Sequence, residues 1–142
     1  MIIIDDLTTA VLGALGADLG VAMRLDVYDG EVKAVNDPDG RARPYAVLYP
    51  SAGNLSSQSL CGAQEFLDWP FQITAAGGDP VRARRAIERV RVRLSGATVA
   101  VGDVRVRVVE EPSYQPGPIR EDRDFSPSRW FTPLQFRAQL LA

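Results

Sequence analysis

Histidine is absent from the 142-residue chain, and cysteine occurs once, at Cys61. Without histidine there is no imidazole to act as a general base, to complete a serine or cysteine triad, or to ligate a metal. A single cysteine cannot form an intramolecular disulfide or a thiolate zinc site, and it fits a reducing compartment. These two shortages exclude the most common hydrolytic and metal-dependent chemistries.

Carboxylate pairs are the remaining candidates for acid–base chemistry. Each pair has a structural explanation, as a helix cap, a turn or a strand end: Asp5 and Asp6, Asp37 and Asp39, and Glu110 and Glu111, respectively. The phosphate-binding patterns GxxxxGK[ST] and GxGxxG are also missing. We therefore expect that the protein is not an enzyme and has no catalytic residue, metal site or cofactor.

Long apolar runs are absent as well, since none approaches the roughly 20 residues that a membrane span needs. The start of the chain, MIIIDDL, lacks the basic region of a signal peptide. Hydrophobic residues make up 46% of the chain, charged residues 24%, and the net charge is −2. This composition predicts one soluble domain over residues 1–142 and argues against a membrane or a polyanion as the general partner.

The most regular part of the chain lies between residues 71 and 110. Residues 71–75 alternate apolar and polar side chains, which predicts a half-buried strand. Asp79, followed by a proline, suits the cap of a helix whose apolar stripe extends to Leu94, and Gly96 is a natural end. Two alternating segments then flank Gly102–Asp103, a two-residue hairpin signal.

The flanking sequence predicts one more helix and further strands. A helix is expected from Asp5 or Asp6 to about Ala17. Residues 45–50 are apolar on both faces, which predicts a central strand covered on both sides. Residues 134–140 alternate as a final strand, and Pro133 places its start at an edge or a bulge. The predicted fold is α+β, a two-layer sandwich of two helices on one mostly antiparallel or mixed β-sheet with a β-hairpin.

Two long loops, at about residues 51–68 and 112–128, interrupt these elements. The first is either a solvated connection or an arm that contacts another subunit. The second begins a proline-rich stretch, because five of the ten prolines lie between residues 112 and 133. That density excludes a helix and favours an extended path. Its charged run, residues 120–124, is interpreted as a solvated loop.

Basic residues are represented by fifteen arginines and a single lysine. A GC-rich genome explains this bias most simply. Four of the arginines form one stripe on the second predicted helix: Arg82, Arg85, Arg89 and Arg93. The stripe is either a solvated face or a contact for the acidic surface of a neighbouring subunit.

The order of elements carries a family resemblance. The segments YAVLYPSAG and WPFQIT, the helix DPVRARRAIERVRVRLSG, a hairpin, a proline-rich segment and the strand RWFTPLQFRAQ follow one another over roughly residues 5–139. This arrangement resembles the tail terminator proteins of long, non-contractile-tailed bacteriophages (siphoviruses), especially those that infect GC-rich actinobacteria. Head–tail connector and tail completion proteins share its size and style.

The resemblance implies a structural virion protein that forms a homo-oligomeric ring, most often a hexamer. Such a ring caps the tail tube, ends tube polymerisation and presents the surface for head–tail joining. Its implied partners are other copies of the chain, the tail tube protein and a head–tail connector or neck protein. It would be assembled in the bacterial cytoplasm and located at the head-proximal end of the virion tail. DNA would pass through the lumen without specific binding.

The resemblance also directs attention to residues that could contact neighbouring subunits or the tail. The interface candidates are aromatic anchors and helix arginines: Phe66, Trp69, Phe125, Trp130, Phe131, Arg82, Arg85 and Arg89. Core packing is the alternative for Trp69 and Trp130. Two other functions stay open at this point. One is a small ligand-binding α+β domain, and the other is an enzyme that uses carboxylates or arginine alone.

Overall fold

The structure, a computed structural model, describes residues 4–50 and 68–140. Within them lie two α-helices, a short 3-10 helix (Val21–Met23) and seven strands. The helices are α1 (Ile4–Leu15) and α2 (Pro80–Leu94). The strands are β1 (Asp26–Asp29), β2 (Tyr45–Pro50), β3 (Asp68–Gly77), β4 (Thr98–Val101), β5 (Val104–Glu110), β6 (Arg120–Asp122) and β7 (Arg129–Leu140). No helix in the described part of the chain is long and apolar enough to span a membrane.

The strands form one mixed sheet in the order β1-β2-β3-β7-β5-β4. Only the pairing of β1 with β2 is parallel, and the other pairings are antiparallel. The short strand β6 pairs with the beginning of β7, and β5 pairs with the later part of β7 on the same side. Both helices pack on one face of this sheet. The predicted two-layer α+β sandwich with a hairpin is therefore confirmed.

The main core lies between the helices and the sheet. Its largest side chains form an aromatic stack in which the ring of Phe71 lies 4.8 Å from Trp69 and 5.8 Å from Phe136. All three are almost completely buried. A smaller cluster on the opposite face includes Tyr45 and Val47 of β2. Strand β2 therefore buries apolar side chains on both faces, as its sequence predicts.

The local signals around α2 and the hairpin are confirmed. The Asp79 carboxylate accepts a hydrogen bond of 2.7 Å from the backbone N–H of Arg82 and so caps the helix. Gly96, just beyond the helix, has a φ of +75°, which costs little without a Cβ. Gly102 has a φ of +60° in the two-residue turn that joins β4 to β5.

Helix α1 departs from the prediction at both ends. It begins at Ile4, so that Asp5 and Asp6 lie in its first turn rather than at the cap. Carboxylates in that position interact favourably with the positive end of the helix dipole. The helix ends at Leu15, two residues before Ala17, and its last apolar side chain is completely buried there.

The alternation starts the last strand at residue 134, but β7 begins at Arg129, where the strand RWFTPLQFRAQ of the family resemblance also begins. Pro133 thus lies inside a central strand and not at its start. The carbonyl oxygen of Gln135 accepts a hydrogen bond from the N–H of Glu111 on the β5 side. Because backbone groups alternate along a strand, the nitrogen of Pro133 points to the same side as the carbonyl of Gln135. At Pro133 this side is the gap between β6 and β5, where no strand of the described chain pairs with β7. The missing N–H of proline therefore breaks no hydrogen bond between strands there.

The two predicted loops have different outcomes. The segment at about 51–68 lies outside the described residues except for Asp68, which begins β3. The segment at about 112–128 contains β6, so its charged run is not simply a solvated loop. Pairing with β7 places Glu121 opposite Trp130 and leaves it only partly exposed.

Candidate functional site

The sheet face opposite the helices carries a groove of about 390 Å³, which we call the sheet groove. Strands β2, β3 and β7 supply its floor, and the segment between β6 and β7 supplies one wall. Its lining residues are Val32, Tyr45, Val47, Tyr49, Gln72, Thr74, Ala76, Asp122, Phe125, Arg129, Phe131 and Pro133. Two of its aromatic side chains remain open to solvent, Tyr49 at 44% and Phe125 at 40% exposure.

A cation–aromatic cluster forms one end of the sheet groove. The guanidinium carbon of Arg129 lies 3.8 Å from the centre of the Phe125 ring and 5.7 Å from that of Tyr45. Tyr28 packs edge-on against Tyr45 with ring centres 5.9 Å apart. Burial raises the pKa of the Tyr45 hydroxyl, although its hydrogen bond from Arg129 opposes that rise. The cluster therefore combines a neutral phenol with a fixed positive charge.

The aromatic interface candidates do not lie together. Phe125 and Phe131 line the sheet groove. Trp130 lies on the other face of β7, partly exposed, in a shallow pocket beside Asp79 and Pro80. Trp69 is completely buried in the aromatic stack, where core packing accounts for it. Phe66 lies outside the described residues.

The arginine candidates on α2 are also separated by their contacts. Arg82, whose side chain is 17% exposed, donates hydrogen bonds to the carboxylates of Asp37 and Asp39 at 2.9 and 3.0 Å and pairs with Asp79. This network joins the turn at residues 36–41 to the first turn of α2. Because three carboxylates already surround it, Arg82 has a structural role within the chain.

The Arg82 network leads to a prediction of pH dependence. The backbone N–H of Arg41 and, less strongly, the guanidinium of Arg82 hold the pKa of Asp39 below its ordinary value. A lowered folded-state pKa stabilises the fold above the unfolded value, about 4, and that stabilisation is lost as the pH falls through the folded pKa. We expect Asp39→Asn to be less stable than the wild type at pH 7. The difference in urea-unfolding free energy should shrink as the pH is lowered below about 4 and through the folded pKa of Asp39.

A matched control is Asp29→Asn, since Asp29 is exposed and forms no ion pair with any residue in the ranges 4–50 and 68–140. Its unfolding free energy at pH 7 should equal that of the wild type. A deficit in Asp39→Asn that persists unchanged at pH 3 would contradict the assigned linkage.

Arg89 and Arg93 hold the segment between α1 and β1. Arg89 donates hydrogen bonds to the carbonyl oxygens of Arg24 and Ala22 at 2.6 and 2.8 Å. Arg93, which is buried, donates to the carbonyl oxygens of Ala17 and Met23. Burial lowers the pKa of both arginines, and Arg85 lowers that of Arg89 further. These arginines are fixed by neutral carbonyl groups rather than by carboxylates.

Arg85, the remaining candidate, is exposed and lines a second cavity of about 220 Å³, which we call the arginine pocket. The lining residues come from α2, the turn before β2 and the segment before β1: Val21, Arg24, Asp37, Arg43, Pro44, Arg82, Arg85 and Arg89. Five of these eight side chains are guanidinium groups. The arginine pocket and the sheet groove share no lining residue.

Several residues that line the sheet groove or the arginine pocket were not among the site residues predicted from the sequence. They include Arg24, Arg43, Tyr49 and Arg129. Alternation in β2 does place Tyr45 and Tyr49 on one face, which was a usable signal. The other residues meet only through the pairing of distant segments. Within the described ranges, no group of three or more His, Cys, Asp or Glu side chains has an arrangement that could hold a metal ion.

The fold defines a class: a two-layer α+β domain with a curled, mixed sheet. Neither a protein-family model nor a curated protein matches the chain. A solved structure is similar in fold, a chain in the "Virion of native gene transfer agent (GTA) particle". The likeness has a TM-score of 0.61 and covers 94% of this chain and 93% of that chain, at 20% sequence identity.

Proposed function

We propose that the chain is a structural virion protein of the tail terminator type. It forms a hexameric ring that caps the tail tube, ends tube polymerisation and provides the head-joining surface. In this role it acts at the head-proximal end of the virion tail, without a cofactor and without catalysis. Its partners are other copies of the chain, the tail tube protein and a connector or neck protein.

The observation that carries this proposal is the likeness in fold to a virion chain over nearly the whole of both chains. It agrees with the resemblance to tail terminators in the order of elements and in the late RWFTPLQFRAQ strand, which forms β7. Connector and tail completion proteins share the size and style of the chain, so the resemblance alone does not separate them from a terminator. Capping of tail tubes is the property that distinguishes a terminator from these relatives.

The surfaces described above suit a cyclic assembly. A ring uses a heterologous interface, so each subunit needs two different patches that complement each other. The sheet groove, with its exposed aromatic residues Tyr49 and Phe125, and the arginine pocket are two patches of different chemistry, each of which could meet its own complementary surface on a neighbour. Aromatic and arginine side chains are also those that contribute most at protein interfaces.

The first test is the mass of the purified protein by light scattering at several concentrations, with negative-stain images of the same sample. Six 15.5 kDa chains total 93 kDa, and we expect a species of that mass with an annular outline. Incubation with purified tail tubes should stop their elongation. A protein that stays monomeric and also fails to bind or cap tubes would refute the proposal.

Two variants locate the interface within the same experiment. Phe125→Glu places a charge at the aromatic end of the sheet groove and should weaken assembly at least about tenfold, which is roughly 1.4 kcal/mol. Val92→Glu makes the same kind of change at an exposed position, 64% open, on α2 and away from the groove. It should assemble as the wild type does, and equal loss in both variants would contradict a role for the groove.

A small ligand-binding domain is a second candidate, because the volume of the sheet groove, about 390 Å³, lies within the range of small-molecule sites. Such a domain would remain a monomer or dimer at all concentrations. The same mass measurement therefore separates the two functions.

A further inference from the structure

The arginine pocket has an uneven distribution of charge. On the side of β1 and the turn before β2, Arg43 is paired with Asp26, and Arg82 is paired with three aspartates. On the side of α2 and the segment before β1, the guanidinium groups of Arg24, Arg85 and Arg89 make no ion pair within the described ranges. The only carboxylate in the described lining is Asp37, which bonds to Arg82.

The pocket is largely organised before any partner arrives. Its guanidinium groups at Arg43, Arg82 and Arg89 are held by hydrogen bonds to carboxylates or backbone carbonyls. Their position therefore costs little additional side-chain entropy when a ligand binds. Arg24 and Arg85 stand at the rim, both exposed. Together they can close on a ligand that brings negative charge.

The size and surroundings of the pocket decide which negative ligand it fits. A volume of about 220 Å³ admits one small charged group and not an extended chain of phosphates. Asp37 in its wall and the net charge of −2 also disfavour an approach by duplex DNA, which requires a broad basic face. A carboxylate matches the planar fork of arginine and forms two parallel hydrogen bonds with it.

We propose that the arginine pocket is a docking site for an acidic peptide segment of a partner protein, with one carboxylate inserted between Arg24, Arg85 and Arg89. The partner supplies the negative charge that this side of the pocket lacks. This inference does not depend on the terminator role, because it follows from the charges of the single chain.

The test uses the full chain and a fluorescein-labelled hexaglutamate peptide, with binding followed by fluorescence anisotropy at low salt. The protein concentration is kept where light scattering gives its smallest species, so that neighbouring copies do not compete for the pocket. Arg85→Glu and Arg24→Glu change rim residues from two separate segments. Each should weaken binding at least about tenfold, because one attraction becomes a repulsion.

The matched control is Arg84→Glu, which makes the same charge change at the adjacent exposed position of α2, outside the pocket lining. It should weaken binding less than about threefold, as expected for a general charge effect. Circular dichroism and urea unfolding verify that all three variants fold. Equal losses in the three variants, or no saturable binding by the wild type, would overturn the proposal.

Two further probes separate other sources of negative charge. A duplex DNA of about two helical turns should bind more weakly than the peptide at equal salt. Inorganic phosphate should displace the peptide only at millimolar concentration. Tighter binding of the duplex with the same sensitivity to Arg85→Glu would assign the pocket to nucleic acid. Displacement by micromolar phosphate would assign it to a free anion, and either result would overturn the acidic-peptide proposal.

Discussion

Trp69→Ala is expected to lower the free energy of unfolding by about 3–5 kcal/mol, which is a large part of the stability of a domain of this size. The Trp69 side chain is completely buried, and its ring stacks on Phe71, which in turn stacks on Phe136 across the β3–β7 pair. Alanine leaves a cavity that a sheet bounded by two helices cannot close. Urea unfolding followed by circular dichroism measures the loss.

Phe125→Ala is the control for this aromatic residue. Phe125 is 40% exposed and contacts Arg129, so its removal should cost about 1 kcal/mol or less. The two variants separate a core aromatic residue from a surface one, since Trp69→Ala destabilises the single chain strongly and Phe125→Ala does not. A loss below about 1 kcal/mol for Trp69→Ala would mean that Trp69 is not in the core.

Gly78→Ala has the second largest expected effect, a loss of about 1–3 kcal/mol. A Cβ at this position would lie 2.6 Å from the backbone nitrogen of Ala42 and 2.6 Å from the Cβ of Arg41. The N–H of Gly78 also donates a 2.7 Å hydrogen bond to the carbonyl oxygen of Ala42. The added methyl group must push the turn before β2 away from the start of α2. Thermal and urea unfolding both report the change.

Gly13→Ala is the matched control: it makes the same chemical change but is expected to raise the free energy of unfolding. Gly13 is an exposed residue inside α1, and a Cβ added there would meet no atom of the described chain within 4 Å beyond the backbone of its own helix. Alanine at this position should stabilise the protein by up to about 1 kcal/mol through its higher helix propensity. If the unfolding free energy of Gly78→Ala were as high as that of Gly13→Ala, the backbone of residue 78 would not lie as close to Ala42 as the structure places it.

The sequence predicted the elements that depend on neighbours in the chain. The cap at Asp79, the end of α2 at Gly96 and the turn at Gly102 each act over a few residues, and all three are confirmed. The two-layer arrangement followed from the apolar stripe of each helix and the alternation of the strands. These signals are local, so one sequence is enough to detect them.

Contacts between distant segments were not predicted. The N-terminal part of β7 is a strand because β3 and β6 pair with it, and nothing in its own sequence overrides the negative signal of Pro133. Arg82 meets Asp37 across 45 positions of the chain. The sheet groove and the arginine pocket arise in the same way, since each collects side chains from three or more segments.

Trp69 shows where a local signal was present but not used. The alternation that marks Phe71 and Ile73 as inward-facing extends back to Trp69, two positions earlier. Pro70 lies between these positions and lacks a backbone donor. Its partner in the register is Arg137, and the strand continues through it without a break. The period of two was therefore sufficient evidence to favour core packing over an interface role for Trp69.

The position of β7 has a consequence for how the chain acquires its structure. This strand follows all the others in the sequence, yet it lies at the middle of the sheet between β3 and the β5–β6 edge. Phe71 and Phe136, which are paired on the adjacent strands β3 and β7, can meet only after the intervening residues have been synthesised. Until β7 inserts, the two halves of the sheet have no common strand. Because pairing between distant segments forms slowly, we expect the insertion of β7 to be a late step in folding that joins both halves of the sheet.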